Sequence, residues 1–209
     1  MLFFRQQNHL SNFLPAMQQE ILQNIRDSIA VKNEILKNPV LIHSLEHAIE
    51  KLIQVYKKNG KVLFCGNGGS AADAQHLAAE LSGRFYYDRP PLNAEALHVN
   101  TSFVTAVAND YGYDQVFARM IQAAGCEGDV LVVLSTSGNS PNILHAIEAA
   151  KQKKMLVIGL TGQSGGKMKN DCDIILNVPS EVTPRIQESH IMLGHILCEQ
   201  IEKKLFPKR

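Results

Sequence analysis

Apolar residues recur at helical intervals through the first sixty positions: Ile21, Ile25 and Ile29, then Leu41, Leu45, Ile49 and Ile53, with an interruption at Asn38-Pro39. The spacing predicts two amphipathic helices. No strand-like run falls among them, so each helix must bury its stripe against the rest of the domain or against another copy of the chain. From Lys61 the pattern changes to short, nearly continuous apolar runs at residues 62–65, 96–99, 130–134, 156–160 and 174–178, separated by helix-compatible stretches such as 71–83. Runs of this kind suit strands covered on both faces, which predicts an α/β fold with an open, doubly wound sheet of five parallel strands flanked by helices. Residues 184–204 read as a last helix, with Pro184 in its first turn and Ile186, Leu193, Leu197 and Ile201 among its apolar positions. The whole, 1–209, reads as one domain, in which 1–60 is a helical segment for oligomer packing and 61–209 is the α/β core with its C-terminal helix.

Charge narrows the function classes. Lys and Arg number 21 against 20 Asp and Glu, a formal net charge of +1, which argues against a chain whose main work is neutralising nucleic-acid phosphates or an anionic membrane. No run approaches the length of a membrane span, and the first ten residues are too short and too polar for a secretory signal, so a cytoplasmic location is expected. Cys65, Cys126, Cys172 and Cys198 form no Cys-x-x-Cys clip; free, mostly buried thiols are expected.

Two loops at the ends of strand-like runs carry the chemical signal. In Gly66-Asn67-Gly68-Gly69-Ser70 the glycines let a ligand approach the backbone, and the helix that follows offers unpaired N–H groups to an anion. In Ser135-Thr136-Ser137-Gly138-Asn139-Ser140-Pro141, four hydroxyls precede another helix start. Ser, Asn and Gly also turn chains and cap helices, so capping alone is the plainer reading of each loop. A dinucleotide site needs an acidic residue at the end of the second strand, where the sequence runs His98-Val99-Asn100, and no Walker loop is present. A phosphomonoester held by hydroxyls and amides fits best, with no nucleotide cofactor.

His76 and Glu80, four residues apart on the helix after the first loop, share a face. On the last helix Gln187 and His195 are eight apart, about 80° around the axis, and His190 lies on another face. A solvated helical pair and a packed polar helix are the plainer readings.

Gly66 to His76, Ala79-Glu80-Leu81, Ala108-Asn109-Asp110-Tyr111-Gly112, Ser135 to Ser140 and Arg185-Ile186-Gln187-Glu188 together resemble the sugar-isomerase (SIS) domain family, and within it the bacterial phosphoheptose isomerases, over essentially the whole chain. The resemblance implies a flavodoxin-like sheet and a homotetramer with active sites at subunit interfaces. It also implies interconversion of sedoheptulose 7-phosphate and D-glycero-D-manno-heptose 7-phosphate, for activated heptose in lipopolysaccharide core or other surface glycans. Substrate contacts are implied for Asn67, Gly68, Gly69, Glu80, Asn109, Asp110, Ser135, Thr136, Ser137, Ser140 and Gln187, and one zinc per subunit for His76, Glu80, Gln187 and His195. Ketose–aldose interconversion needs a base near two adjacent carbons and a group that moves protons between oxygens; Glu80 and His195 are the expected pair. Some family members carry an aspartate where Pro184 stands, so no role is transferred to that position. Two alternatives are a tetrameric SIS scaffold that binds the replication initiator, a relative that lacks the glutamate and histidine found here as Glu80 and His195, and an isomerase of another phosphosugar.

Overall fold

The computed structural model describes residues 14–208; the first ten residues, weighed above as a leader, lie outside the described residues. Helices α1 (Leu14–Leu36) and α2 (Pro39–Lys57) part where expected. Asn38 caps α2 by accepting the Leu41 N–H at 3.0 Å, and Pro39 occupies the first turn, where its missing N–H is no loss. The remaining elements are β1 (Val62–Gly66), α3 (Gly69–Ser82), β2 (Ala94–Ala96), α4 (Thr101–Tyr111), α5 (Val116–Ala124), β3 (Val130–Ser135), α6 (Pro141–Gln152), β4 (Leu156–Thr161), β5 (Ile174–Asn177) and α7 (Thr183–Leu205).

The five strands are all parallel, in the order β2-β1-β3-β4-β5. Alternation of side chains sorts them into two cores. Val62, Phe64, Val130, Val132 and Leu134 face α2, α3 and α7, whereas Leu63, Cys65, Leu131 and Val133 face α4, α5 and α6 around the fully buried Phe117. The strand order reverses between β1 and β3, and in such sheets ligands bind beyond the carboxyl ends at that crevice. Both candidate loops stand there.

Two expectations need correction. The second strand is Ala94–Ala96, not 96–99. It is an edge strand with Glu95 exposed, so it lacks a continuous apolar run. The backbone beyond it must turn toward Asn100, whose side chain accepts the Phe103 N–H at 3.1 Å and caps α4. The cysteines are all free, yet only Cys65 and Cys198 are buried; Cys172 is half-buried and Cys126 exposed.

The stripe of α2 is buried through Leu41 and Leu45, together with Ala48 and Leu52. That of α1 is not: Ile21, Ile25 and Ile29 are 53%, 51% and 52% exposed. The Arg185 guanidinium bonds the Asn24 carbonyl and ties α1 to the start of α7.

His190 on α7 is wholly buried, its ring nitrogens making no well-formed hydrogen bond among the described residues, and burial pushes its pKa down to about 4 against a smaller opposing pull from the Thr161 backbone. Between that value and the ordinary 6.5 the unfolded chain binds a proton that the folded chain refuses, so stability rises with pH across this window and falls on acidification. At pH 4.5 the penalty amounts to about 2–3 kcal/mol. Urea unfolding of His190→Leu should show a loss between pH 7 and 4.5 smaller than the wild type's by that amount; equal losses would rule this origin out.

Candidate active site

The first loop leaves β1 and enters α3 through Gly68, whose φ of 54° is left-handed. Gly68 is the cap residue of α3 and no side chain caps the helix; the backbone turns in instead, the Ser70 N–H donating to the Asn67 carbonyl at 3.0 Å and the Ala71 N–H to that of Gly68 at 3.1 Å. The second loop leaves β3 and enters α6 at Ser140, whose hydroxyl makes no capping bond. The capping reading therefore fails for that hydroxyl. Ser135 Oγ lies 3.5 Å from Ser140 Oγ and accepts the Gly138 N–H at 3.2 Å, while Ser137 Oγ accepts the Asn139 N–H at 3.2 Å. Thr136 and Ser137 line a cavity of about 270 Å³ floored by Gly162 and Ser180.

Asn142, 2% exposed, locks the two loops together through a reciprocal amide pair with Asn67, the bonds being 2.9 and 2.8 Å. Asn142 was not singled out in the sequence, because its partner is 75 residues away. Tyr113 adds a bond of 3.3 Å from its hydroxyl to Asn67 Oδ1.

Helices α3 and α7 run side by side, and their contacts read as rungs. At the loop end the Gln187 amide lies over Gly69, 2.6 Å from where a Cβ would stand. Two turns along, the His76 and His195 Nε2 atoms face each other at 3.1 Å, and His76 Nε2 is 3.2 Å from Glu80 Oε1. One ligand atom from each of His76, Glu80 and His195 lies within 4.8 Å of the others. Tetrahedral zinc with nitrogens at 2.0–2.1 Å requires two imidazole nitrogens roughly 3.3 Å apart. Two facing imidazoles beside a carboxylate fit that ion.

The chain matches the SIS domain over residues 25–162. It is 54% identical to phosphoheptose isomerase 2 of Campylobacter jejuni over 87% of its own length and 90% of the relative's. Against the phosphoheptose isomerase of Aneurinibacillus thermoaerophilus the identity is 50%, over 91% and 96%. The solved structure of the Neisseria gonorrhoeae phosphoheptose isomerase superposes with a TM-score of 0.84 at 45% identity, covering 90% of this chain and all of that one. The chain belongs to the phosphoheptose isomerase family of SIS-domain proteins.

Of the residues that the family resemblance marks, the fold gathers Asn67, Gly68, Gly69, Ser135, Thr136, Ser137 and Ser140 at the crevice, and His76, Glu80 and His195 two turns below it. Asn109 and Asp110 stand apart: both are exposed at the end of α4 and bond each other at 2.9 Å. Within one protomer Gln187 belongs to the loop end of the helix pair.

Asp73 escaped the sequence reading. It precedes His76 by three residues and so shares its face of α3, a spacing that could have signalled it. Its Oδ2 is buried without a partner among the described residues; burial pushes its pKa up, opposed by the neighbouring His76 and His195 rings.

Gly138, at φ 64°, packs on the Gly165 carbonyl, which an added Cβ would overlap. Gly138→Ala should cost more than about 1 kcal/mol and push the hydroxyl loop out of place. Its steady-state kinetics should show a raised KM for a sugar phosphate; an unchanged KM would mean that this loop is not the phosphate cradle.

Proposed function

We propose that this enzyme interconverts sedoheptulose 7-phosphate and D-glycero-D-manno-heptose 7-phosphate for heptose biosynthesis, with the phosphate held by the two crevice loops and C1 and C2 beside Glu80. The observation that carries the reading is the His76, Glu80 and His195 cluster on two adjoining helices, one of which begins at a phosphate-type loop.

The chemistry is a proton transfer between adjacent carbons. Glu80 takes a proton from C1 of the ketose while O2 gains one, giving an enediol; O1 then loses its proton and Glu80 returns a proton to C2. His195 serves the oxygens as acid and base. His76, Glu80 and His195 would hold one zinc per subunit, which when bound supplies Lewis-acid polarisation of the carbonyl; Gln187, the fourth ligand that the family's pattern implies, stands two turns away over Gly69 in this protomer. A carboxylate has two oxygens, so Glu80 can belong to both sets. Asn67, Gly68, Gly69, Ser135, Thr136, Ser137 and Ser140 bind the remote phosphate, and that binding energy orients the reacting carbons. Asn109 and Asp110 belong to the sugar contacts that the resemblance implies.

No helix among the described residues is long and apolar enough to cross a membrane, and we place the enzyme in the cytoplasm. The exposed α1 stripe, and the groove of about 810 Å³ between α2 and α7 lined by Ile42, Ile49 and Ile53, support a homotetramer in which 1–60 packs against other copies and active sites lie at subunit interfaces. Substrate choice is tested by comparing kcat/KM for sedoheptulose 7-phosphate with that for pentose and hexose ketose phosphates. The reading expects the heptulose to win by at least tenfold, and a pentose or hexose phosphate that outperformed it would replace it.

A further inference from the structure

Beyond the cluster, the same helix pair ends in an ion pair that no step above uses. Arg89 Nε meets Glu202 Oε2 at 3.1 Å, the two side chains being 2% and 1% exposed. Arg89 Nη2 donates to the Glu80 carbonyl at 2.8 Å, and Nη1 to those of Leu81 at 2.8 Å and Gly83 at 3.1 Å. Carbonyls in the last turn of a helix lack intrahelical partners, and a cation there suits the helix dipole. Helix α3 has no basic residue in its own last turn; Arg89 supplies the charge from downstream.

Glu202 works on the other side. Its carboxylate accepts the Phe85 N–H at 2.9 Å and the Tyr86 N–H at 2.8 Å, which fixes the segment leaving α3. The Phe85 ring in turn lies 5.6 Å from the His195 ring. His195 and Glu202 are seven residues apart on α7, two turns along one face. One buried pair thus holds the backbone of Glu80 and the aromatic neighbour of His195.

We infer that the Arg89–Glu202 pair is a positioning device for the reaction, setting the Glu80 carboxylate against the His195 imidazole through the Glu80 carbonyl and Phe85. The inference rests on His76, Glu80 and His195 being the reacting cluster. Stability alone does not account for the pair, because buried ion pairs are commonly matched or bettered by apolar side chains of similar volume. Apolar side chains could not bond carbonyls of α3 and amides of the next segment at once. Nor could lysine, whose point charge lacks the planar fork of arginine.

The test is Arg89→Lys and Glu202→Gln, assayed well below their melting temperatures beside Phe85→Leu and Glu80→Gln. For the first two, kcat for sedoheptulose 7-phosphate should fall about 10–100-fold with KM within about threefold, and zinc titrated into metal-stripped protein should bind about tenfold more weakly. Folded variants with wild-type kcat and zinc affinity would overturn the inference, as would a raised KM at unchanged kcat. If neither folds, Phe85→Leu decides: a lowered kcat at constant KM supports the positioning role, and a wild-type kcat refutes it. Should Glu80→Gln turn over normally, the reading of the cluster fails by itself, and unchanged zinc affinity in the two variants would then sink the positioning claim as well.

Discussion

Glu80→Gln should abolish turnover in a folded protein: kcat is expected to fall by about 10³-fold or more, within the range that a positioned general base contributes. The substitution keeps the shape of the side chain and removes its ability to take a proton. Glu80 stands one helical turn from His76, with Oε1 3.2 Å from the imidazole and 27% of the side chain exposed, so an amide of equal size fits without repacking. The phosphate loops lie two to three turns away, and KM should stay within a few fold of the wild type. Circular dichroism and substrate titration verify fold and binding, and NMR of the sugar products measures turnover. A variant retaining more than a tenth of wild-type kcat would remove Glu80 from the role of base.

His195→Asn is expected to have the next largest effect, with kcat falling about 10²-fold or more, because the proposed function gives one ring two tasks. Its Nε2 faces His76 Nε2 at 3.1 Å, so its loss halves the imidazole set available to a metal, and it removes the group proposed to serve the substrate oxygens. His76→Asn separates the tasks. Both variants should weaken zinc binding by calorimetry about equally, but at saturating zinc His76→Asn should recover more of the wild-type kcat, since of the two rings the proposal gives only His195 a part in proton transfer. Equal recovery by the two would make His195 a ligand and nothing more.

How far these groups could be read from the chain depends on how local their signals are. Gly66 to Ser70 and the His76, Glu80 pair are legible because a strand end, a glycine loop and a four-residue spacing are properties of short segments. The break at Asn38-Pro39 and the start of α7 at Pro184 are legible for the same reason. Strand β2 is misplaced because an edge strand of three residues with an exposed Glu95 carries no apolar run. The stripe of α1 is legible as a helical face, but its spacing does not tell what covers it, and among the described residues it stays exposed. Asn142 and the Arg89–Glu202 pair are invisible locally, their partners lying 75 and 113 residues off. That His76 and His195 meet at all, across 119 residues, follows from the packing of α3 on α7, where Gly194 admits Leu77. The resemblance supplied their association before the fold gave it a physical cause.

The most direct test of the account is to follow sedoheptulose 7-phosphate by NMR in the presence of the purified protein, with and without added zinc. The account predicts conversion to D-glycero-D-manno-heptose 7-phosphate until ketose and aldose reach a constant ratio, approached from either sugar. A folded protein that converts neither sugar under any metal condition would contradict it.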